Sequence, residues 1–173
     1  MKKFLLFTTA SAFSLLSLTA CGQKGDKSKR PSPPALAKQT LASGVTVSID
    51  YSQPSIKGRT IGKDVEPMAG KVWRTGANEA TVFEVDKDVK IEGQSLPKGK
   101  YSLYSISGDE WTIIFNKTWD QWGTNYNEKD DALRVKVKPG KAASFAEKMN
   151  FTISKEGKVS LTWGDIQVDF NVQ

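Results

Sequence analysis

The residues best suited to chemistry lie in three polar segments. "VWRTGANEAT" (72–81) supplies Trp73, Arg74, Asn78 and Glu79 around Gly76. "YSQPSIKGRTIG" (51–62) supplies Gln53, Lys57 and Arg59, and "NKTWDQWGTNYNEKDDALR" (116–134) supplies Trp119, Trp122, Asn125, Tyr126, Asp130, Asp131 and Arg134. Arg59 and Arg74 could each fork onto a carboxylate or phosphate. Equally, they could pair with Glu79 and Asp131 and hold loops together. Trp119 and Trp122 could form a stacking platform for a sugar, or fill the core and cover a sheet edge.

What the sequence lacks narrows that chemistry. It contains no histidine and a single cysteine, Cys21. Ser-His-Asp and Cys-His nucleophile systems need an imidazole base. Zinc and most copper or iron sites need imidazole or thiolate ligands. Carboxylate, lysine and tyrosine chemistry remains, as does oxygen-only cation binding. Two lookalikes fail. "GQSLPKGK" (93–100) has the wrong spacing for a phosphate loop, and Tyr101 follows where Ser or Thr would be needed. Asp130 and Asp131 are adjacent, so on a strand they would point to opposite faces and share no proton. No catalytic residue, metal or cofactor is assigned.

The elements that must position these residues follow from patterning. "MKKFLLFTTASAFSLLSLTAC" opens with Lys2 and Lys3, continues apolar to Leu18 and ends in small residues before Cys21. That is a secretory leader. "LTAC" resembles the bacterial lipobox, which implies cleavage before Cys21 and acylation, palmitate included, of that residue. Several acyl chains on one residue suffice for stable membrane anchoring. We therefore expect a lipoprotein signal peptide at 1–20, a lipidated Cys21 opening a flexible basic tether at 21–34, and one domain at 35–173. The formal net charge of +6 sits mainly on Lys2, Lys3, Lys24, Lys27, Lys29 and Arg30, offset there only by Asp26. The domain itself is nearly neutral, which argues against nucleic acid. A cationic stalk beside a lipid suits anionic headgroups.

From residue 35 onward, apolar and polar residues alternate. Val45, Val47, Ile49 and Tyr51 share one face, as do Leu133, Val135 and Val137. Val159, Leu161 and Trp163, then Ile166, Val168, Phe170 and Val172, repeat the pattern. Further strands are expected at 35–41, 71–74, 80–85, 88–92, 100–106, 110–116 and 147–154. "KEGK" (155–158) and "WGDI" (163–166) read as tight hairpin links, and "SLPKGKY" (95–101) as a turn. "PGKAASFAEKM" (139–149) could be helical, although its spacing also fits a strand. The expected fold is all-β, a single antiparallel sandwich or flattened barrel of about eight to ten strands.

"VSIDYSQPSIKGRTIG", "VWRTGANEATVFEV", "LPKGKYSLYSI", "WTIIFNK" and "WGTNYNEKDDALRVKV" occur in an order that resembles the family called domain of unknown function 2911. Gln53 stands where that family often has arginine. The resemblance implies a secreted or lipid-anchored protein of Bacteroidota-like bacteria and implies no established activity.

Together these readings give an envelope lipoprotein. We expect it at the outer membrane facing the periplasm, with a non-catalytic domain that binds or scaffolds a small polar or anionic ligand or a glycan. Its candidate site is Arg59, Arg74, Asn78, Glu79, Trp122, Asp131 and Arg134. The rival is a hydrolase or isomerase with Glu79 or Asp131 as base and Arg74 as stabiliser. A third reading is purely structural. Lipidation has a direct test: Cys21→Ser is expected to abolish metabolic labelling by a fatty acid, and label retained on that variant would sink the lipoprotein reading.

Overall fold

The computed structural model describes residues 26–173. Cys21, the leader and the first part of the tether lie outside the described residues. Eleven strands are formed: β1 (Pro34–Thr40), β2 (Thr46–Ser52), β3 (Val72–Trp73), β4 (Thr81–Val85), β5 (Val89–Ile91), β6 (Gln94–Leu96), β7 (Gly99–Ile106), β8 (Trp111–Asn116), β9 (Asp131–Val137), β10 (Pro139–Ile153) and β11 (Lys158–Asn171). Two short 3-10 turns, Lys27–Lys29 and Glu128–Asp130, are the only helical pieces among the described residues.

Period-two alternation dictates the layering. One antiparallel sheet runs β1-β2-β4-β7-β8-β9, with β3 also paired to β7. Its inward residues include Val47, Ile49, Phe83, Leu103, Phe115 and Val135. These meet Met149, Phe151, Leu161, Trp163, Val168 and Phe170 from the long β10–β11 hairpin. Phe83 and Phe115 pack edge to face at 5.0 Å between ring centroids, and Phe115 and Phe170 at 5.9 Å, so aromatic contacts join the two layers. The sheet does not close on itself, and the fold is an all-β sandwich.

Three expectations are refined. Residues 139–149 are strand, because β11 offers them a paired edge, met at Pro139–Lys141 and again at Ala146 with register shifts between. Within "SLPKGKY", β6 pairs with β5 in a small hairpin before the turn begins. "WGDI" is not a hairpin link: β11 continues through it. Gly164 (φ +62) faces Ala146 between two register shifts, where β10 carries the extra residues. A local turn signal there reflects a bulge and bend in one long strand.

One feature of the sheet places the polar segments. β3 and β4 lie in line along the same edge of β7, with Trp73 opposite Ser105 and Thr81 opposite Leu103. Residues 74–80 must therefore leave and rejoin the ladder across a single β7 residue, Tyr104. The outward face of β7 and β8 is covered by the 117–130 connection between β8 and β9.

Candidate functional site

The 74–80 excursion is held by its own side chains. Trp73 Nε1 donates to the Gly76 carbonyl at 3.2 Å. Thr75, buried at φ +48, places its hydroxyl 3.0 Å from Ser105 Oγ. Thr81 Oγ1 donates to the Thr75 carbonyl at 2.9 Å. A Cβ on Gly76 would lie 2.6 Å from Thr81 Oγ1 and 3.3 Å from the Ser52 carbonyl, so the excursion closes only on glycine. Asn78 (φ +59) donates through Nδ2 to the Ser32 carbonyl at 3.0 Å. Left-handed conformations at two non-glycine residues are sparsely populated, and such positions concentrate at functional sites.

The excursion pairs with the β8–β9 connection. Glu79 forms an antiparallel bridge with Trp122; the Ala80 amide donates to the Gln121 carbonyl and the Gly123 amide to the Asn78 carbonyl, each at 3.1 Å. This short ladder separates two clefts.

On one side lies a cleft of about 510 Å³ over the outer face of β2 and β4, with Asp50, Glu79, Asp120, Gln121, Trp119 and Trp122 in its lining. The indoles of Trp119 and Trp122 are 39% and 48% exposed, and Lys100 Nζ sits 4.8 Å from the Trp119 ring centroid. The tether also enters this cleft. Arg30 NH1 donates to both Glu79 oxygens at 2.8 and 3.0 Å, and Lys27 Nζ lies 3.0 Å from Oε1. The Gln53 amide donates to the Pro33 carbonyl at 2.8 Å, seating the tether's end beside β2. Burial pushes the Glu79 carboxyl up, but hydrogen bonds from Arg30 and Lys27 outweigh it and hold it at about 2.

The other half of the predicted site is an internal network. Asp131 accepts from Asn116 Nδ2 (2.8 Å), Tyr126 OH (2.7 Å) and Arg134 Nε (2.8 Å). Arg134 NH2 also donates to Tyr126 OH at 2.6 Å and pairs with Glu128 at 3.0 Å. Burial first, then the neighbouring Asp131 carboxylate, raises the Tyr126 hydroxyl to about 12, so it stays a donor. The Tyr126 ring packs 4.8 Å from that of Tyr104, which receives Gln121 Nε2 on its hydroxyl at 3.2 Å. Ser102 Oγ donates to the Thr118 carbonyl at 2.6 Å, and the Thr118 amide to Asn116 Oδ1 at 3.1 Å. These bonds clamp the connection onto the sheet.

Of the seven residues expected at one site, Asn78, Glu79 and Trp122 are brought together. Asp131 and Arg134 satisfy one another. Arg59 lies elsewhere, donating to the Ile56 and Ser55 carbonyls at 2.9 and 2.7 Å and bracing its own loop. Arg74 stands on the far side of the ladder from Glu79, beside Tyr104. Sequence reasoning missed Lys27 and Arg30, whose charge read as a membrane stalk, and Asp50, whose polar side faces outward on β2. Alternation had already marked Asp50 as outward-facing; nothing local marks a tether residue as the partner of Glu79. Among the described residues, no group of three His, Cys, Asp or Glu side chains is arranged to hold a metal ion.

The model of a family described as a protein of unknown function (DUF2911) matches residues 32–172. The match covers the excursion and both clefts apart from Lys27 and Arg30, which precede it. No curated protein and no solved structure matches the chain.

The two carboxylates should differ sharply in stability experiments. The Asp131 side chain is 10% exposed and the Glu79 side chain 37%. Asp131→Ala orphans three donors and is expected to cost roughly 3–5 kcal/mol in urea unfolding, against about 0–1 kcal/mol for Glu79→Ala. Equal losses would overturn this division. Acid offers a second check on Glu79. Its folded value of about 2 lies below the ordinary 4.5, so its contribution is full above pH 4.5 and fades as pH falls towards 2. The Arg30 side-chain N–H resonances are expected to shift through that window in the native chain and to lose that shift in Glu79→Gln, whereas the Ser28 amide, bonded to Asp26, titrates in both.

Proposed function

We propose that this chain, which belongs to the DUF2911 family, is a lipid-anchored envelope protein whose domain binds a neutral or amino-bearing glycan without catalysis. The anchor is Cys21, and the placement is the outer membrane facing the periplasm. The observation that carries the reading is the 510 Å³ cleft in which the exposed indoles of Trp119 and Trp122 stand beside Asp50, Glu79, Asp120 and Gln121. Sugars present apolar C–H faces and a rim of hydroxyls, and an indole beside carboxylate and amide acceptors matches both.

Charge refines the ligand class. Lys27 and Arg30 are both engaged by Glu79, while Asp50 and Asp120 add further negative charge. An anionic ligand would meet repulsion in this cleft, whereas a neutral sugar or an ammonium group would not. The same electrostatics weigh against acid–base catalysis. A carboxylate held at about 2 is a weak base at neutral pH, and both Asp131 oxygens already accept hydrogen bonds. The tether supplies part of the wall, so a bound glycan would lie between the domain and the stalk that joins it to the membrane.

Calorimetric titration of the full chain with neutral, amino-bearing and uronic-acid oligosaccharides tests this. We expect binding within the first two groups. Trp119→Ala and Trp122→Ala should each weaken it about tenfold, equivalent to about 1.4 kcal/mol. Stability should fall by about 1–2 kcal/mol at most, because each indole is only partly covered. Absence of binding across the panel, preference for uronic acids, or undiminished binding by both variants would overturn the proposal.

A further inference from the structure

Arg74 occupies a second cleft, of about 190 Å³, with Glu66, Trp73, Tyr104, Gly123 and Thr124 in its lining. Its Nε is buried and has no hydrogen-bond partner among the described residues. The two carboxylates expected to neutralise it are engaged elsewhere, Glu79 by Lys27 and Arg30 and Asp131 by Arg134. Glu66 lines the same cleft, but its Oε2 accepts from the Met68 amide at 2.7 Å. A guanidinium lodged in a cleft with an orphaned N–H is costly unless something completes it, and each such group calls for a specific explanation.

The neighbouring groups are donors too. The Tyr104 hydroxyl accepts from Gln121, which leaves its own proton to give. Burial raises its pKa and keeps that proton in place. Thr124 adds an exposed hydroxyl at the rim. Tyr126 cannot serve, because its proton goes to Asp131. Gly123 holds the arrangement together: a Cβ there would run into the Arg74 side chain and lie 2.9 Å from the Asn78 carbonyl. Only glycine at this point leaves room for the Arg74 side chain beneath the connection.

We infer that Arg74, Tyr104 and Thr124 form a second binding site, separate from the glycan cleft, that takes a small monocarboxylate. A guanidinium offers two parallel N–H groups that match one carboxylate. The hydroxyls of Tyr104 and Thr124 complete the set of donors. Glu66 at the cleft and Asp131 behind Tyr126 disfavour a doubly charged phosphate, while Trp73 and Val72 supply an apolar wall for a short aliphatic stem. The volume has room for a few heavy atoms, on the order of several waters at about 30 Å³ each. This inference does not rest on the glycan reading, since the two clefts share no lining residue.

The test is a titration of the isotopically labelled full chain with acetate, and separately with inorganic phosphate, at constant ionic strength. It follows the Arg74 Nε–H resonance and the Gly123 and Thr124 amides. We expect a saturable response to acetate that phosphate does not match. The affinity read from the two amides should fall at least about tenfold in Arg74→Gln and about threefold in Tyr104→Phe, which keeps its ring against Tyr126. A non-saturating response in the native chain, an unchanged affinity in Arg74→Gln, or tighter binding of phosphate than acetate would each overturn the inference. Should Arg74→Gln fail to fold, Tyr104→Phe decides alone: weaker binding supports the site and equal binding removes it.

Discussion

Much of this structure depends on how residues 74–80 leave and rejoin one sheet edge. With Trp73 opposite Ser105 and Thr81 opposite Leu103, the excursion has the width of one β7 residue in which to turn out and back. A backbone so confined must satisfy its polar groups locally or bury them at a cost of several kcal/mol each. Trp73, Thr75 and Thr81 supply the local partners, Ser52 accepts the Ala77 amide, and Gly76 removes the side chain that would block closure. The motif "WRTGANEAT" is thus mostly a device for making a tight excursion. The charged side chains it leaves over are Arg74 and Glu79.

Those two side chains end on opposite sides of a ladder because pairing with Trp122 and Gly123 fixes them there. The β8–β9 connection is itself clamped by Asp131, Asn116, Tyr126 and Arg134. An internal network so fully satisfied contributes position and leaves little capacity for chemistry. Charges divide accordingly. Acidic groups gather with exposed indoles over β2 and β4, while Arg74, which forms no ion pair among the described residues, lies beside Tyr104. Gln121 touches both regions, lining the first cleft and donating to the hydroxyl of Tyr104, a residue of the second cleft's lining.

How much of this was legible in the sequence depends on the range over which each feature is determined. Alternation at 45–51 and 133–137 is a local pattern, and it located those strands within a residue or two; across 159–172 it marked the strand residues but divided one strand, β11, in two. The link at 155–158 was legible for the same reason. "WGDI" misled because Gly-Asp has the same local signature in a turn and in a bulge, and only the register of β10 against β11 tells them apart. Pairing of Glu79 with Trp122 joins segments more than forty residues apart, and no spacing rule anticipates it. Assigning Arg59, Arg74, Asp131 and Arg134 to one site rested on residue type. Residue type marks what a side chain can do but not which neighbour has already claimed it.

The tether shows that last point most clearly. Lys27 and Arg30 belong by composition to a solvated stalk, yet they meet a carboxylate exposed enough to be reached and positioned by the excursion to be met. Each contact alone is a surface ion pair worth about 0–1 kcal/mol. Two cations on one carboxylate, joined by hydrogen bonds from Asn78 Nδ2 to the Ser32 carbonyl and from the Gln53 amide to the Pro33 carbonyl, dock the stalk without locking it. Because the cations are held by Glu79 itself, any ligand that hydrogen-bonds this carboxylate competes with the stalk or replaces part of its hold. With a ligand bound as proposed, its binding and the seating of residues 27–34 on the domain are coupled through one side chain, with a coupling no larger than those weak contacts allow.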